Sequence, residues 1–255
     1  VVYSIRTLHC WAIFWVDRLQ LSIMEKRVLA VIPAYNEQDN IVSTIEDLYK
    51  NAPQVDYVIV NDGSKDRTLD ICRERGYNYL SLPANLGLAG AFQTGMKYAL
   101  ERGYDYAIQF DADGQHSAAY IEQMVADAER TGAEVVIGSR FASCNKPISP
   151  RMMGSAVITA MIMLTTGKRI QDPTSGMRLF GSRLIPLFAN ELDYGPEPDT
   201  ISFLMRNGVK VHEVQVQMRE RTAGESYLNF TKSVSYMLRM SISILFVQWF
   251  RRKIR

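Results

Sequence analysis

The sequence has few cysteines and no long hydrophobic run, and each absence excludes a class of protein. Cys10, Cys72 and Cys144 are odd in number, far apart and without a CxxC spacing. This pattern argues against a zinc site and favours a reducing compartment, with the cytoplasm as the default. The apolar runs Cys10–Val16 and Met240–Phe250 are much shorter than the roughly 20 residues with which a helix spans a bilayer. We therefore expect neither a zinc fold nor a membrane-spanning anchor.

Two other signatures are also missing. The basic residues form no interior patch with interleaved aromatic residues, and the formal net charge is only +2, so a nucleic-acid binder is not expected. A dinucleotide-binding site would need GxGxxG directly after the first strand, where this chain has PAYNE, Pro33–Glu37. What is present is a chain of 255 residues, 47% of them hydrophobic, which is enough to bury one large core.

Short β-rich runs alternate with helical stretches from Val28 to Arg140. The predicted strands are VLAVIPA, YVIVND, YLSL, YAIQFDAD and AEVVIGSR. The predicted helices between them cover residues 39–51, 68–76, 87–102 and 118–131. Strands that alternate with helices indicate an α/β fold, in which a parallel sheet carries helices on both faces. After Arg140 the alternation stops, and we expect one domain with a C-terminal extension.

Three of the predicted strands end in polar residues, at the edge where sheets of this kind bind ligands. These residues are Asn36, Glu37, Asn61, Asp62, Asp111 and Asp113. If the fourth strand runs through FDAD, Asp111 and Asp113 share a face and lie about 7 Å apart. A divalent cation would remove their mutual repulsion, and carboxylates are ligands that Mg²⁺ or Mn²⁺ prefers. The alternative is a polar turn in which Asp113 caps the helix near Ala118.

Two loops have a structural interpretation beside a functional one. The stretch Asn85–Ala91, which contains Gly87, is either a tight turn with close helix packing or a helix N-terminus that faces a phosphate. In NDGSKDRT, Ser64 or Asp66 is suited to cap the next helix. The sequence leaves these alternatives open.

PAYNE after the first strand, NDGSKDRT after the second and DADGQH after the fourth give the chain its resemblance to the family 2 glycosyltransferases of the GT-A fold. Within that family it looks most like the dolichol- and polyprenyl-phosphate sugar synthases. The resemblance covers Val28 to about Arg221. It implies a GT-A domain over residues 24–226. Because Met24 looks like a natural start, we expect residues 1–23 to be an upstream extension. Residues 227–255 are expected to form a C-terminal amphipathic, membrane-associated segment.

The resemblance implies a site for a nucleotide-sugar donor, with UDP or GDP as the carrier. The residues that would bind the nucleotide are Pro33, Tyr35, Glu37, Asp62, Gly87, Arg219 and Arg221. Among them, Asp62 would contact the nucleobase. Arg219 and Arg221 begin a stretch that resembles a mobile R-x-x-G-x-S loop closing over the donor, although Tyr227 stands where the family often has Lys.

The same resemblance implies a metal site. Asp111 and Asp113 match the aspartate pair that holds Mg²⁺ or Mn²⁺ against the donor diphosphate, and Gln115 matches a third ligand. A bound metal would stabilise the negative charge that develops on the leaving nucleoside diphosphate without a proton transfer.

An acceptor site is implied by two further elements. Arg140 and Arg151 match arginines that bind the lipid phosphate, and a guanidinium fork suits a phosphate in two-point contact. DPTSGMR, Asp172–Arg178, resembles a D-x-TSGFR element with Met177 in place of Phe, which makes Asp172 a catalytic candidate.

Glu197 and Asp199 allow two interpretations. In relatives that glycosylate a hydroxyl, a carboxylate near this point is the general base, whereas a lipid phosphate arrives already ionised and needs none. The structural alternative is that the prolines and acids of PEPDT cap a helix. Glu197 is kept as a catalytic candidate.

The C-terminal tail is basic and apolar. No acidic residue follows Glu225, while the cations are Lys232, Arg239, Arg251, Arg252, Lys253 and Arg255. An apolar helix with Trp249 near its end and a basic cluster is typical of an interfacial membrane anchor. The alternative is a core helix followed by a solvated basic end.

Together these features predict metal-dependent, inverting transfer of a sugar from a nucleotide donor to polyprenyl phosphate. The reaction is expected at the cytoplasmic face of the plasma membrane, by a peripheral protein that docks on the membrane surface, with a small membrane protein as a possible partner. One alternative is transfer to a saccharide hydroxyl in cell-surface polysaccharide synthesis, and a more remote one is a non-catalytic membrane-binding module. A nucleotidyltransferase is disfavoured because no glycine-rich loop with Arg and Lys follows the first strand.

Overall fold

The computed structural model describes residues 26–143, 150–191, 195–219, 230–246 and 250. Within them, the strands are β1 Val28–Ala34, β2 Asp56–Asn61, β3 Tyr79–Ser81, β4 Tyr106–Gln109, β5 Val135–Ser139, β6 Arg178–Gly181 and β7 Val211–Gln215. They form one sheet in the order β3-β2-β1-β4-β6-β5-β7. β6 is antiparallel to β4 and β5, and the other neighbouring pairs are parallel. The expected α/β fold with a mostly parallel sheet is confirmed.

The helices predicted between the first five strands are all present. The described helices are α1 Ile41–Asn51, α2 Thr68–Glu74, α3 Gly87–Arg102, α4 Ile121–Thr131, α5 Pro150–Thr166, α6 Leu184–Asn190, α7 Pro198–Arg206 and α8 Phe230–Leu245. A single 3₁₀ turn, Ala118–Tyr120, leads into α4. The expected extension, residues 1–23, lies outside the described residues, as do residues 220–229 and 251–255.

The sheet is covered on both faces, which explains the continuous apolar sequence of β1. Leu29 and Val31 belong to one buried cluster, while Ala30 and Ile32 belong to a second. Because strand side chains alternate in direction, these two clusters lie on opposite faces of the sheet. The first cluster includes residues of α3 and of α5 to α8, and the second includes residues of α1, α2 and α4.

The sheet continues beyond the point where the sequence pattern stops. The alternation of strands and helices ends at Arg140, yet β6 enters the sheet between β4 and β5, and β7 extends it next to β5. β6 has only four residues, and β7, VHEVQ, is mostly half-buried. Neither strand therefore produces the long or clearly alternating apolar pattern by which strands are recognised in a sequence.

The last described helix is part of the core on one face. In α8, Met240 and Ile244 are buried, and the helix packs on α5 and α7. One face of α8 therefore contacts the protein and is not available to a membrane. In the described part of the chain, no helix combines the length and the apolar character needed to cross a bilayer.

Candidate active site

A cavity of about 260 Å³ opens at the carboxyl ends of β1, β2 and β4. Six of the residues that the sequence singled out line it: Pro33, Tyr35, Glu37, Asp62, Asp111 and Asp113. Ala34, Leu88, Ala91 and Ala112 complete the lining. This is the edge of a parallel sheet where ligands bind, and small apolar side chains leave room between the polar ones.

The loops after β1 and β2 are fastened to each other by reciprocal hydrogen bonds. The backbone N–H of Asn36 donates to Ser64 Oγ at 3.0 Å, and the backbone N–H of Lys65 donates to Asn36 Oδ1 at 2.8 Å. The backbone N–H of Glu37 donates to Thr68 Oγ1 at 2.9 Å. Asn36 has a φ of 57°, a left-handed conformation that asparagine tolerates better than most residues. The two loops thus form one rigid wall of the cavity.

Ser64 and Asp66 play different parts in this wall. Asp66 Oδ1 accepts the backbone N–H of Thr68, the first residue of α2, at 3.0 Å. Ser64 instead accepts the bond from Asn36 described above. Of the two candidate caps, Asp66 therefore bonds to the start of α2, although Arg67 occupies the N-cap position and makes no side-chain capping bond.

Asp62 is buried and orients the start of α3. Its two carboxylate oxygens accept the backbone N–H groups of Leu86 and Gly87 at 2.7 and 2.8 Å. Gly87 also donates to Asn85 Oδ1 at 3.1 Å and has a φ of 75°. The N–H of Gly87 is thus used inside the protein, which favours the tight-turn interpretation of this loop over a phosphate-facing helix N-terminus.

Asp111 and Asp113 reach the cavity through a turn and not through strand alternation. β4 ends at Gln109, four residues before the end of the predicted strand. The turn closes at Gly114, whose φ of 76° suits glycine. Asp113 Oδ1 accepts the backbone N–H of Gln115 at 3.1 Å, while the backbone N–H of Ala118 donates to Asp47 Oδ2 at 2.7 Å.

The carboxylate of Asp111 is held by residues to which the sequence assigned no role. Gln109 Nε2 donates to Asp111 Oδ1 at 2.9 Å, and the backbone N–H of Asp111 donates to His116 Nδ1 at 2.9 Å. A methyl group on Gly176 would collide with Asp111 Oδ2. His116 and Gly176 belong to the motifs DADGQH and DPTSGMR, but only the tertiary structure shows that they contact Asp111.

These residues fit a divalent metal. Among the described residues, no cluster of three or more His, Cys, Asp or Glu side chains could hold a metal ion by itself. Two carboxylates on an open cavity nevertheless suit Mg²⁺ or Mn²⁺, which bind through one or two carboxylates and leave the other positions to water and substrate phosphates. Asp111 and Asp113 would be the anionic ligands, and Gln115 lies next to them on the same turn.

Arg178 supplies a buried positive charge behind the carboxylates. It is opposite Gln109 in the β4–β6 pairing, and its Nη2 donates to the carbonyl of Pro173 at 2.7 Å. Burial lowers the pKa of Arg178, while Tyr236, Asp111, Glu197 and Asp172 act in the opposite direction. Three of the expected catalytic residues, Asp111, Asp172 and Glu197, therefore interact electrostatically with one guanidinium.

Arg140 and Asp172 form a buried ion pair. Arg140 Nε and Nη2 donate to the two carboxylate oxygens of Asp172 at 2.7 and 2.8 Å, and the backbone N–H of Arg140 adds a third bond at 3.1 Å. Glu213 in turn accepts the backbone N–H of Asp172 at 2.7 Å. The guanidinium edge that was expected to grip a lipid phosphate is thus occupied by Asp172 in this structure. Neither residue is among those that line the cavity.

The acids of the PEPDT stretch separate in the structure. Asp199 is buried and accepts hydrogen bonds from the backbone N–H of Thr200 at 2.8 Å and from Ser243 Oγ at 2.6 Å, which ties α7 to α8. Glu197 occupies the N-cap position of α7 without a side-chain capping bond, and Pro198 follows at the first helical position. Burial raises the pKa of Tyr236, with Glu197 as the next cause. Asp199 therefore ties α7 to α8, and both acids contribute to the raised pKa of Tyr236, Glu197 more than Asp199.

Arg219 lies beside the turn that carries Asp113 and Gln115, and its side chain is bonded to Asp47 and Ser117. Its backbone N–H donates to the carbonyl of Gln115 at 2.9 Å. Its Nη2 donates to Asp47 Oδ1 at 2.7 Å and to Ser117 Oγ at 3.3 Å. Arg221, the rest of the predicted R-x-x-G-x-S loop and the side chain of Arg151 lie outside the described residues.

Two known glycosyltransferases are similar to this chain in sequence. An undecaprenyl-phosphate mannosyltransferase of Micrococcus luteus is 35% identical over 217 residues, which cover 80% of this chain and 88% of that protein. A UDP-N-acetylglucosamine–dolichyl-phosphate N-acetylglucosaminyltransferase of Methanococcus voltae is 29% identical over 217 residues, with 76% and 86% covered. These two relatives are named for different sugars and for polyprenyl-type phosphates.

A solved structure gives the same fold. Glucosyl-3-phosphoglycerate synthase of Mycobacterium tuberculosis, in complex with Mn²⁺, UDP and phosphoglyceric acid, superposes with a TM-score of 0.67 at 17% identity, covering 91% of this chain and 82% of that one. This likeness supports the GT-A architecture. Residues 29–186, from β1 into α6 and more than half of the chain, match glycosyl transferase family 2, and the chain belongs to that family.

Proposed function

We propose that the protein transfers a sugar from a nucleoside-diphosphate donor to polyprenyl phosphate, with inversion, at the cytoplasmic face of the membrane. The observation that carries the proposal is the cavity at the ends of β1, β2 and β4. It is lined both by residues expected to bind the nucleotide and by Asp111 and Asp113. The relatives named for undecaprenyl and dolichyl phosphate support a lipid phosphate as the acceptor.

The donor would bind in this cavity. Tyr35 is exposed at its rim, and Glu37 and Asp62 line its wall. Asp62 already accepts two backbone bonds, which hold its carboxylate in one orientation, so a nucleobase would meet a preorganised acceptor. Mg²⁺ or Mn²⁺ at Asp111 and Asp113, with Gln115 beside them, would stabilise charge on the departing diphosphate.

The acceptor chemistry needs no general base if the nucleophile is a phosphate, because the phosphate oxygen is already anionic at neutral pH. The buried Arg178 would supply positive charge near the carboxylates, whereas the charge of Arg140 is balanced by Asp172 in their ion pair. Such charge would offset the repulsion between an incoming phosphate and the donor diphosphate.

A second candidate, transfer to a saccharide hydroxyl, has one observation in its favour. Glu197 makes no side-chain capping bond to α7 and interacts electrostatically with Arg178 and Tyr236. A carboxylate in that position could take the proton that a hydroxyl acceptor must lose.

The deciding experiment is an assay of the full chain with a panel of UDP- and GDP-sugars, Mn²⁺ or Mg²⁺, and a short-chain polyprenyl phosphate. The expected product is a lipid-extractable sugar phosphate together with free UDP or GDP, and chelation of the metal should stop its formation. Product only with a saccharide acceptor, combined with loss of turnover in Glu197→Gln, would replace the proposal by the second candidate.

A further inference from the structure

The solvent-facing positions of α5 are apolar wherever the structure describes them. Along this helix the exposed residues are Ala156, Val157, Ala160, Met163 and Leu164. Leu164 is 73% exposed, although a leucine of an ordinary soluble helix turns toward the core. The opposite face of α5 is also apolar, because Ile158 and Ile162 are completely buried in the first core cluster.

Helix α8 repeats this arrangement. Met240 and Ile244 are buried against the protein, while Leu238, Ile242 and the adjoining Phe246 are 61%, 47% and 62% exposed. The two helices pack on each other, with Gly154 of α5 against the side chain of Met237. Their outer surfaces therefore adjoin. We call this surface the α5/α8 face, and define it as Val157, Met163, Leu164, Leu238, Ile242 and Phe246.

Within the described residues, the charges on these two helices and in the segment just after α5 are cationic. Neither α5 nor α8 contains an acidic residue, Arg239 is exposed on α8, and Lys168 and Arg169 are exposed just after α5. An apolar surface with cations beside it complements an anionic bilayer, where apolar side chains enter the acyl boundary and cations stay among the headgroups. A two-fold contact between two copies through this face would instead bring like charges together, because such a contact is self-complementary.

From these observations we infer that the α5/α8 face is a docking surface for an anionic lipid bilayer, with α5 contributing as much as the C-terminal helix. The inference deepens the proposed function, because a membrane-held lipid acceptor requires the protein to sit at the bilayer. α8 also contacts residues that we propose to lie toward the acceptor, Arg178, Glu197 and Asp199, which we call the acceptor side of the site. Ser243 bonds to Asp199, and Tyr236 interacts with Arg178 and Glu197. Docking through this face would therefore bring the acceptor side of the site to the membrane.

Point substitutions test this better than removal of the tail. Deletion from Ser241 onward would also remove the buried Ile244 and the Ser243–Asp199 hydrogen bond, so it would destabilise the fold. Leu164→Glu and Leu238→Glu change only well-exposed side chains, one on each helix. Leu100→Glu, at an exposed leucine of α3 outside the face, is the matched control.

The experiment is co-sedimentation of the full chain with vesicles of phosphatidylcholine and phosphatidylglycerol, compared with phosphatidylcholine alone. We expect the wild type and Leu100→Glu to bind the anionic vesicles. Each of Leu164→Glu and Leu238→Glu should weaken binding by about tenfold or more, and the double variant should remain in the supernatant. Binding by the wild type should weaken as salt rises, because salt screens the cationic part of the interaction.

Circular dichroism and transfer to a short, water-soluble polyprenyl phosphate complete the test. Both should be unchanged in the variants. Sedimentation of the double variant as complete as that of the wild type, or no vesicle binding by the wild type, overturns the docking surface. So does a concentration-dependent dimer of the wild type that Leu164→Glu disperses. If the variants lose vesicle binding while no form of the chain glycosylates any polyprenyl phosphate, the docking surface stands and the proposed function fails.

Discussion

The donor side of the site, which we propose to bind the nucleotide sugar, and the proposed acceptor side use their polar residues in different ways. On the donor side, Glu37, Asp111 and Asp113 face a cavity, and the bonds around them hold them in position. On the acceptor side, Asp172 and Asp199 are buried and bonded to Arg140 and Ser243. The donor side is thus built to receive a ligand, while the acceptor side is built from polar contacts that fasten the C-terminal half to the sheet.

This difference changes what the motifs mean. Asp111 and Asp113 border the cavity, so we expect their replacement to affect the fold little. Asp62 differs, because it is buried and orients the start of α3. A motif residue on the acceptor side stabilises the protein, so its loss of activity and its loss of stability must be measured separately. Four predictions sharpen or break the comparison.

The largest effect is expected for Asp113→Ala, which should abolish transfer and leave the thermal midpoint near that of the wild type. In the proposed site this side chain would supply an anionic metal ligand, and it accepts a bond from the backbone N–H of Gln115 within its own turn. Activity is measured at saturating Mn²⁺, and binding of UDP is measured with and without the metal. Asp70→Ala, at an exposed acid of α2, serves as the control. Near-normal turnover in Asp113→Ala would remove the metal from the donor side.

Asp172→Ala should destabilise the fold by about 3 to 5 kcal/mol, because it leaves the Arg140 guanidinium without the carboxylate that it grips in a largely buried site. The measurement is the free energy of unfolding in urea. Arg140→Ala should also destabilise the protein, since it strands a fully buried carboxylate. A variant that unfolds like the wild type would show that this pair is available for a ligand after all.

Gly176→Ala should weaken metal-dependent nucleotide binding by roughly ten- to a hundredfold, the range seen when groups that orient metal ligands are lost. The added methyl group would push Asp111 Oδ2 from its position. Gly181→Ala is the matched control on β6, because a methyl group there would meet no atom nearer than 3.6 Å. Equal binding by both variants would mean that the position of Asp111 is not critical.

The smallest effects on turnover are expected for Glu197→Gln and Asp199→Asn, each of which should keep most of kcat with a polyprenyl phosphate acceptor. Asp199→Asn should in addition lower the stability by about 1 to 3 kcal/mol, because Asp199 links α7 to α8. Steady-state kinetics and urea unfolding separate the two quantities. A collapse of kcat in Glu197→Gln alone would favour a hydroxyl acceptor.

Much of the first half of the fold is predictable because local and tertiary forces agree there. β1 and β2 are apolar runs buried on both faces, and the helices between them have amphipathic sequences, so pattern and packing coincide. The short strands β6 and β7 were not predictable, since their place is set by partners far away in the chain. The antiparallel insertion of β6 next to β4 is also what brings Gly176 and Arg178 to the carboxylates.

The sequence by itself indicated which polar side chains meet at the cavity. Its polar strand ends included Glu37, Asp62, Asp111 and Asp113, because parallel strands bring their carboxyl ends to one edge, while the family resemblance added Pro33 and Tyr35. The tertiary structure alone decided which charged residues are committed to one another. Whether Arg140, Asp172, Asp199 or Arg219 is paired depends on residues 32 to 172 positions away, and no local pattern encodes such distances. It also decided which apolar side chains of α5 and α8 the core covers and which stay exposed, because only packing determines which side of a helix with apolar residues on both sides is buried.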